Sequence, residues 1–206
     1  MDDHIRAMAR SSNREKILTE GLRLMHQRGF ASASVRDIVQ AAGVPQGSFT
    51  NHFASKEAFG LEVIDLYCHG IRTFNDETLN NAGLPPDRRL RNWVAGAAGG
   101  SCDGCLLGNF AAGGCEQSEP IRQRVASAFA ETRTALAACL HAAGQAGMLR
   151  PGLDHDDVAG FLLASIQGAS LLARVTQDPA PLRGIDRLLL ATILTSPAPA
   201  NDHLLH

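Results

Sequence analysis

Three of the five cysteines lie close together in the glycine-rich segment SCDGCLLGNFAAGGC, residues 101–115. Thiols at this spacing could form disulfides, bind a metal ion, or react with electrophiles and oxidants. An odd number of cysteines excludes a fully paired disulfide framework within one chain. A metal site needs three or four ligands, and no second CxxC pair or HxxxH pair follows Cys102, Cys105 and Cys115. We therefore predict no metal ion and no cofactor, and a reactive thiol and simple packing both stay open.

Cys105 has the setting most suited to a reactive thiol. Gly104 can end a loop, and CLLGNF then reads as the start of a short helix with Cys105 in its first turn. The unpaired amides and the positive dipole end of a helix favour the thiolate, the form that attacks electrophiles. The carboxylate of Asp103 opposes this effect. Cys102 or Cys115 would be a resolving partner for a sulfenic acid.

The distribution of charge predicts that one end of the chain meets a polyanion. The 206 residues are 45% hydrophobic and 19% charged, which is typical of a globular protein with a real core. Residues 1–56 carry eight basic and five acidic side chains, whereas the rest of the chain carries 11 and 16. A basic amino-terminal part favours a nucleic-acid partner. A solvated surface is the alternative interpretation.

The sequence also predicts a location. No apolar run approaches the roughly 20 residues that span a bilayer. The start, MDDHIRAMAR, lacks the apolar stretch of a secretion signal. We therefore expect a cytoplasmic protein without a membrane partner, in a compartment where thiols stay reduced.

The hydrophobic pattern is helical almost throughout, which predicts an all-α fold. Ser12 with Glu15, and Ser34 with Asp37, have the spacing of helix N-caps. Gly43 permits a sharp turn between the second and third helices. The main predicted helices cover residues 12–29, 35–42, 45–52, 56–79, 88–98, 119–145, 156–176 and 181–195.

The second and third helices form a candidate helix-turn-helix. The third is sized for the major groove, where base edges carry a unique pattern of donors and acceptors. Phe49 and Phe53 are predicted to face inward. The predicted base-reading residues are Gln46, Gly47, Ser48, Thr50 and Asn51, and the predicted phosphate contacts are Ser34, Arg36, His52 and Lys56. From periodicity alone, a structural helical hairpin with a polar surface is an equal alternative.

The stretch SVRDIVQAAGVPQGSFTNHFASKEAF, residues 34–59, resembles the signature of TetR-type repressors. The matching landmarks are the hydroxyl cap with Asp37-Ile38, Ala42-Gly43-Val44, Gly47, His52-Phe53 and Ser55-Lys56-Glu57. The resemblance implies a transcriptional repressor and not an enzyme. It implies a DNA-binding domain at residues 1–56 and a helical ligand-sensing and dimerisation domain at residues 57–206. Thr50 departs from the family, which usually has tyrosine there, and this puts an aromatic contact with DNA in doubt.

The resemblance also implies a homodimer on double-stranded DNA. Its two recognition helices would enter grooves about one helical turn apart on a palindromic operator. The last two long helices are the candidate interface, with Ala164 and Gly168 allowing close approach. Their apolar stripes comprise Val158, Phe161, Leu162, Ile166 and Leu172 in one helix and Leu182, Ile185, Leu189 and Ile193 in the other. Filling a monomer core is the alternative for both stripes.

The segment GCLLGN, residues 104–109, is similar to a motif of the branch of this family that senses electrophiles and oxidants through its cysteine. The basic amino-terminal part and the cysteine segment together suggest the hypothesis that a ligand or a cysteine modification near residues 102–115 repacks the effector domain, shifts the fourth helix and changes the spacing of the two recognition helices. Cys68 and Cys139 fall within apolar helical patterns and are expected to be buried.

Two other functions stay open. The first is a repressor that binds an apolar small molecule reversibly, without thiol chemistry. Its candidate pocket wall is Phe74, Trp93, Leu106, Phe110 and Phe129, which are equally interpretable as core. The second, more remote, is a cysteine hydrolase, although no histidine base lies near Cys105 in the sequence.

Overall fold

The structure is a computed structural model that describes residues 12–99 and 102–195, without the side chains of Asp186 and Leu189. Within these ranges the chain forms nine helices and no strand, which confirms the all-α prediction. The helices are α1 (Asn13–Arg28), α2 (Val35–Ala41), α3 (Gly47–His52), α4 (Lys56–Glu77), α5 (Pro86–Ala98), α6 (Leu106–Ala111), α7 (Glu119–Gln145), α8 (His155–Thr176) and α9 (Ala180–Ile193).

Side-chain caps begin α1 and α2, as predicted. The Ser12 hydroxyl accepts the Glu15 amide at 3.2 Å, and the Glu15 carboxylate accepts the Ser12 amide at 2.9 Å. The Ser34 hydroxyl accepts the Asp37 amide at 3.1 Å and donates to the Asp37 carboxylate at 2.7 Å. Both caps satisfy amides that have no partner within the helix.

Several helix boundaries differ from the prediction by one or two residues, including the end of α4, which lies at Glu77 instead of residue 79. The third helix, α3, begins two residues late, because the Pro45 carbonyl accepts the Ser48 amide at 2.9 Å in a tighter turn. Helix α5 begins two residues early, at Pro86, since the fixed φ of proline suits the first helical position. Helix α9 ends before Leu194, which forms an isolated β-bridge with Leu149.

The chain divides into two compact units, residues 1–69 with 106–126 and residues 70–105 with 127–206. We call the first the helix-turn-helix unit and the second the C-terminal unit. The helix-turn-helix unit contains α1 to α3, α4 as far as His69, α6 and the first turns of α7. These two units are defined by which residues pack together. The boundary predicted between residues 56 and 57 instead separates the DNA-binding part from the ligand-sensing part, and it stays a prediction.

The helix-turn-helix unit has an aromatic core in which α1 braces α2 and α3. The rings of Phe53 and Phe59 lie 4.7 Å apart, and Phe49 lies 5.2 Å from each of them. All three side chains are buried, and so are Ile17 and Ile38. The inward orientation predicted for Phe49 and Phe53 is confirmed.

The C-terminal unit is built around α5, α7, α8 and α9. Helix α8 packs against α9 and α5 through the apolar face that contains Val158, Leu162 and Ile166. By length and composition alone α8 would suffice to cross a membrane, a property of this helix that the prediction overlooked. Core helices meet the same criterion. The segment on which the cytoplasmic prediction rests, residues 1–11, lies outside the described residues.

Candidate nucleic-acid interface and cysteine segment

A tight turn joins α2 to α3. Gly43 has φ of +63°, a left-handed conformation that side chains rarely adopt. Its amide donates to the Gln40 carbonyl at 3.1 Å, and the Val44 amide donates to the Val39 carbonyl at 3.1 Å. These bonds end α2 and redirect the chain into α3, whose aromatic residue Phe49 is buried in the core.

The outer face of α3 presents a small polar surface, which we call the reading surface. Gln46, Gly47, Thr50, Asn51 and His52 are exposed, as predicted. A Cβ added to Gly47 would meet no atom within 4 Å, so nothing inside the protein requires glycine there.

Ser48 does not belong to this surface. Its side chain is 8% exposed, and it directly precedes the inward-facing Phe49. The predicted exposed position of Ser48 is therefore wrong.

Thr50 has a partner within its own helix. Its hydroxyl donates to the Gly47 carbonyl at 3.0 Å. The hydroxyl proton is thus committed to the helix backbone, while the oxygen lone pairs and the methyl group remain to face a ligand.

Ser34 and Arg36, the two candidate phosphate contacts at the start of α2, differ in whether they already have a hydrogen-bond partner within the helix. The hydroxyl of Ser34 caps the helix and holds the pKa of the Asp37 carboxyl below its ordinary value. The charges of Arg28 and Arg36 act in the same direction. Arg36 itself is exposed. Arg36 is therefore available to a phosphate, whereas Ser34 already serves the helix.

Lys56 is tied into the fold of the helix-turn-helix unit. Its ammonium donates to the Ala31 carbonyl at 3.1 Å and lies 4.8 Å from the centre of the Phe30 ring. Burial of the side chain lowers the pKa of Lys56. The sequence indicated only a phosphate contact here and missed this structural role.

The cysteine segment approaches the predicted geometry. Gly104 has φ of +79° and Cys105 is half-buried. The short helix begins at Leu106, so Cys105 directly precedes it. The prediction that Cys105 lies in the first turn of this helix is therefore wrong. Cys102 is also half-buried, in a turn.

The other thiols differ in burial. Cys115 is half-buried, and burial raises its pKa while the charge of Arg122 opposes the rise. Burial raises the pKa of Cys139 to about 11, and its thiol donates to the Pro86 carbonyl at 3.6 Å. Cys68 is 1% exposed. The burial predicted for Cys68 and Cys139 is confirmed, and none of the five cysteines, all within the described ranges, forms a disulfide.

The five candidate pocket residues do not lie in one unit. Leu106 and Phe110 are fully buried in the helix-turn-helix unit. Phe74, Trp93 and Phe129 belong to the C-terminal unit, where the indole of Trp93 donates to the side chain of Asn75 at 2.9 Å. The pocket wall stays a prediction. Within residues 12–99 and 102–195, no group of three His, Cys, Asp or Glu side chains is arranged to hold a metal ion.

The predicted interface stripe on α8 separates into two faces. Val158, Leu162 and Ile166 are core, so their predicted place in a subunit interface is wrong. Phe161 and Leu172 are each 55% exposed. They share the outer face of α8 with other exposed residues, and we call this set the outer α8 face: Phe161, Ala164, Gly168, Leu171, Leu172 and Val175.

Sequence reasoning missed one residue that links the cysteine segment to α1. The side-chain amide of Asn109 donates to the backbone carbonyl of His26 at 2.7 Å. Asn109 lies in the GCLLGN motif, but its partner is 83 positions away, and no local pattern could have identified it.

Two family models match the chain. One, described as bacterial regulatory proteins of the tetR family, matches residues 17–63. The other, described as a Tetracyclin repressor-like C-terminal domain, matches residues 88–189. Together they cover the helix-turn-helix and most of the C-terminal helices.

Individual relatives agree over nearly the whole chain. The HTH-type transcriptional repressor DhaR from Mycobacterium sp. (strain GP1) is 35% identical over 92% of this chain and 96% of its own. A solved regulatory protein TetR from Rhodobacter sphaeroides superposes with a TM-score of 0.81 at 26% identity, over 88% of this chain and 98% of its own. The reduced form of NemR from E. coli superposes with a TM-score of 0.78 at 26% identity, over 91% and 99% of the two chains.

Proposed function

Because this chain belongs to the TetR family of DNA-binding transcriptional regulators, we propose that it acts as a homodimeric repressor on a palindromic operator. A small molecule, or modification of a cysteine, releases it from the DNA. The relatives described above are transcriptional regulators, and the protein works in the cytoplasm, where it meets the chromosome.

The reading surface supports direct contact with base edges. Gln46, at the N-cap of α3, and Asn51, within α3, carry exposed side-chain amides, and such side chains pair with adenine in the major groove. Gly47 leaves room for the DNA backbone. Arg36 and His52, which are close to this helix in the sequence, are exposed and can contact phosphates. This exposed, hydrogen-bonding surface on a braced helix is the observation that carries the proposal.

The outer α8 face supports dimerisation. It places large apolar side chains in water, including Leu171 at 61% and Val175 at 73% exposure. A contiguous apolar surface of this kind marks a protein interface. Ala164 and Gly168 on the same face are small and exposed, which allows two copies of α8 to pack closely about a two-fold axis.

The cysteine segment supports sensing through Cys105. Its thiol is half-buried, follows a left-handed glycine and directly precedes α6. In the proposed reaction the Cys105 thiol loses its proton to solvent, and the thiolate sulfur attacks an electrophilic carbon. The new S–C bond forms at one carbon of an activated C=C double bond, the π electrons of that bond shift to the neighbouring carbon, and this carbon takes a proton from water. Reversible binding of an apolar molecule by the C-terminal unit is the alternative means of release.

The test begins with an operator selected by the purified wild-type protein from a pool of randomised DNA duplexes. Gel-shift titrations then compare binding under reducing conditions, with N-ethylmaleimide, and with zinc. We expect a palindromic sequence bound at low salt and lost after alkylation. Failure to enrich any sequence would contradict DNA recognition, and Gln46→Ala with Asn51→Ala should remove the enrichment.

A matched pair of variants separates the two means of release. Cys105→Ser should bind the operator as wild type does and resist N-ethylmaleimide. Cys139→Ser, which changes a buried thiol, should still be released. Release of Cys105→Ser by the alkylating agent would end the thiol proposal and leave repression intact.

A further inference from the structure

A side chain from α6 closes the last turn of α1. The final four carbonyls of a helix lack amide donors within it. In α1 the Met25 carbonyl accepts the Gly29 amide at 2.9 Å, and the next carbonyl, that of His26, accepts the side-chain amide of Asn109 at 2.7 Å. The end of the helix that braces α2 and α3 is thus held by a residue of the cysteine segment.

The residues after Asn109 hold the connection between α1 and α2. Phe110 is fully buried, and its ring lies 5.4 Å from that of Phe30 in this connection. A Cβ added to Gly114 would approach the Phe30 Cβ to 3.4 Å and the Phe110 carbonyl to 3.0 Å. Helix α6 and the turn that follows it therefore pack against the connection without space between them.

The same connection is also held by α4. The ammonium of Lys56 donates to the Ala31 carbonyl and covers the Phe30 ring. Ser34, at the end of the connection, caps α2. A displacement of α6 would consequently be transmitted to the start of α2, and through the tight Gly43 turn to the reading surface.

The chain passes from the C-terminal unit to the helix-turn-helix unit between Cys105 and Leu106. Asn109 is four residues beyond that point, so a change in the backbone at Cys105 acts on the helix that carries Asn109. We propose that Asn109 is a positioning residue, whose bond to the His26 carbonyl sets the placement of the DNA-binding helices and transmits modification of Cys105 to them. The transmission of Cys105 modification rests on the proposed function, whereas the positioning role of Asn109 does not depend on a reactive Cys105.

The first experiment uses the unmodified full-length protein. Asn109→Ala removes the donor, and Asn81→Ala is the matched control, because Asn81 also donates from its side-chain amide to a backbone carbonyl, that of Glu77, at 3.3 Å. Asn81 lies in the C-terminal unit. Since the bond that holds the end of α1 to α6 is then lost, we expect Asn109→Ala to raise the operator dissociation constant about tenfold. Amide hydrogen exchange at residues 26–33 should accelerate by a similar factor, and Asn81→Ala should change neither quantity.

Two further variants keep the proposal falsifiable if Asn109→Ala folds poorly. Asn109→Asp has the same size but replaces the amide donor by a carboxylate oxygen, and it should lose operator affinity in the same way. Asn109→Gln keeps an amide donor and should recover part of that affinity. Wild-type operator affinity and wild-type exchange at residues 26–33 in Asn109→Asp would overturn the proposal.

The second experiment measures transmission, in a Cys102→Ser, Cys115→Ser background that leaves Cys105 as the accessible thiol. The Cys105 thiolate adds to the double bond of N-ethylmaleimide, and the neighbouring carbon takes a proton from water. Alkylation should weaken operator binding at least tenfold with Asn109 present and less than threefold with Asn109→Ala. An equal loss in both would overturn the transmission role. No loss in either would contradict the Cys105 trigger, while the unmodified variants still decide the positioning role.

Discussion

Gly21 of α1 lies directly against the ring of Phe59 in α4. A Cβ added to Gly21 would lie 2.2 Å from Cζ and 2.6 Å from Cε1 of that ring. The ring cannot move aside, because it is fully buried and packs edge-on against Phe53 and Phe49. Glycine at this position therefore lets the bracing helix approach the aromatic core.

Gly21→Ala is expected to destabilise the protein. Overpacking a filled core costs about 1–3 kcal/mol, and the gain in helix propensity of roughly 0.5–1 kcal/mol offsets only part of it. Gly70→Ala is the control, because a Cβ there would meet no atom within 4 Å, and it should leave stability unchanged or raised. Urea unfolding measures both, and a Gly21→Ala protein as stable as Gly70→Ala would contradict the tight contact.

Arg36 and Lys56 are expected to respond differently to removal of their charge. Arg36→Gln should reduce the slope of log affinity against log salt by about 1.8, about 0.9 for each of the two phosphate contacts that the dimer loses, without changing the free energy of unfolding. Lys56→Gln should lower the free energy of unfolding, because it loses the bond to Ala31 and the contact with Phe30. Operator titrations at several salt concentrations and urea unfolding give the two quantities. Unaltered stability in Lys56→Gln would show that its internal contacts contribute nothing.

A charge on the outer α8 face should prevent dimerisation. Val175→Asp would place a carboxylate without a partner at the proposed interface, a cost of about 3–5 kcal/mol that weakens the dimer at least a hundredfold. Light scattering should then report the mass of a monomer, and operator binding should fail. Leu66→Asp is the control, since Leu66 is an exposed apolar residue of α4, 41% exposed and off this face. A Val175→Asp dimer as strong as the control would place the interface elsewhere.

The carboxyl of Glu119 should contribute to stability only above acidic pH. Its hydrogen bonds from the Arg122 guanidinium, at 2.7 and 2.5 Å, and from Gln123, at 2.8 Å, lower its pKa from 4.5 to about 2. A pKa lowered in the folded state means that the stabilisation is complete above pH 4.5 and is lost as the pH falls toward 2. The difference in unfolding free energy between wild type and Glu119→Gln should therefore be constant above about pH 5.5 and shrink below pH 4.5. A difference independent of pH between 2 and 6 would exclude this ion pair as a contributor.

The five thiols should react with N-ethylmaleimide in a fixed order. Cys102 and Cys105 are half-buried and should react first, followed by Cys115, whose pKa is raised by burial. Cys139, with a pKa of about 11, and Cys68, which is 1% exposed, should react only after unfolding. Peptide mass spectrometry of a time course identifies each site. Early modification of Cys139 in the native protein would contradict its buried setting.

The sequence alone determined those features that depend on neighbours three or four residues apart. The caps at Ser12 and Ser34, the left-handed Gly43 turn and the inward Phe49 and Phe53 follow from local hydrogen bonds and helical periodicity, which a sequence displays directly. The same local stretch, residues 34–59, was sufficient to identify the family.

The tertiary structure decided which of several suitable residues meet. Periodicity placed Val158 and Phe161 on one broad stripe of α8, but only packing against α9 and α5 assigned the first to the core and the second to the surface. Likewise the bond between Asn109 and the His26 carbonyl joins residues 83 positions apart. Contacts of that kind depend on how helices pack in space, and no local pattern of residue types predicts this packing.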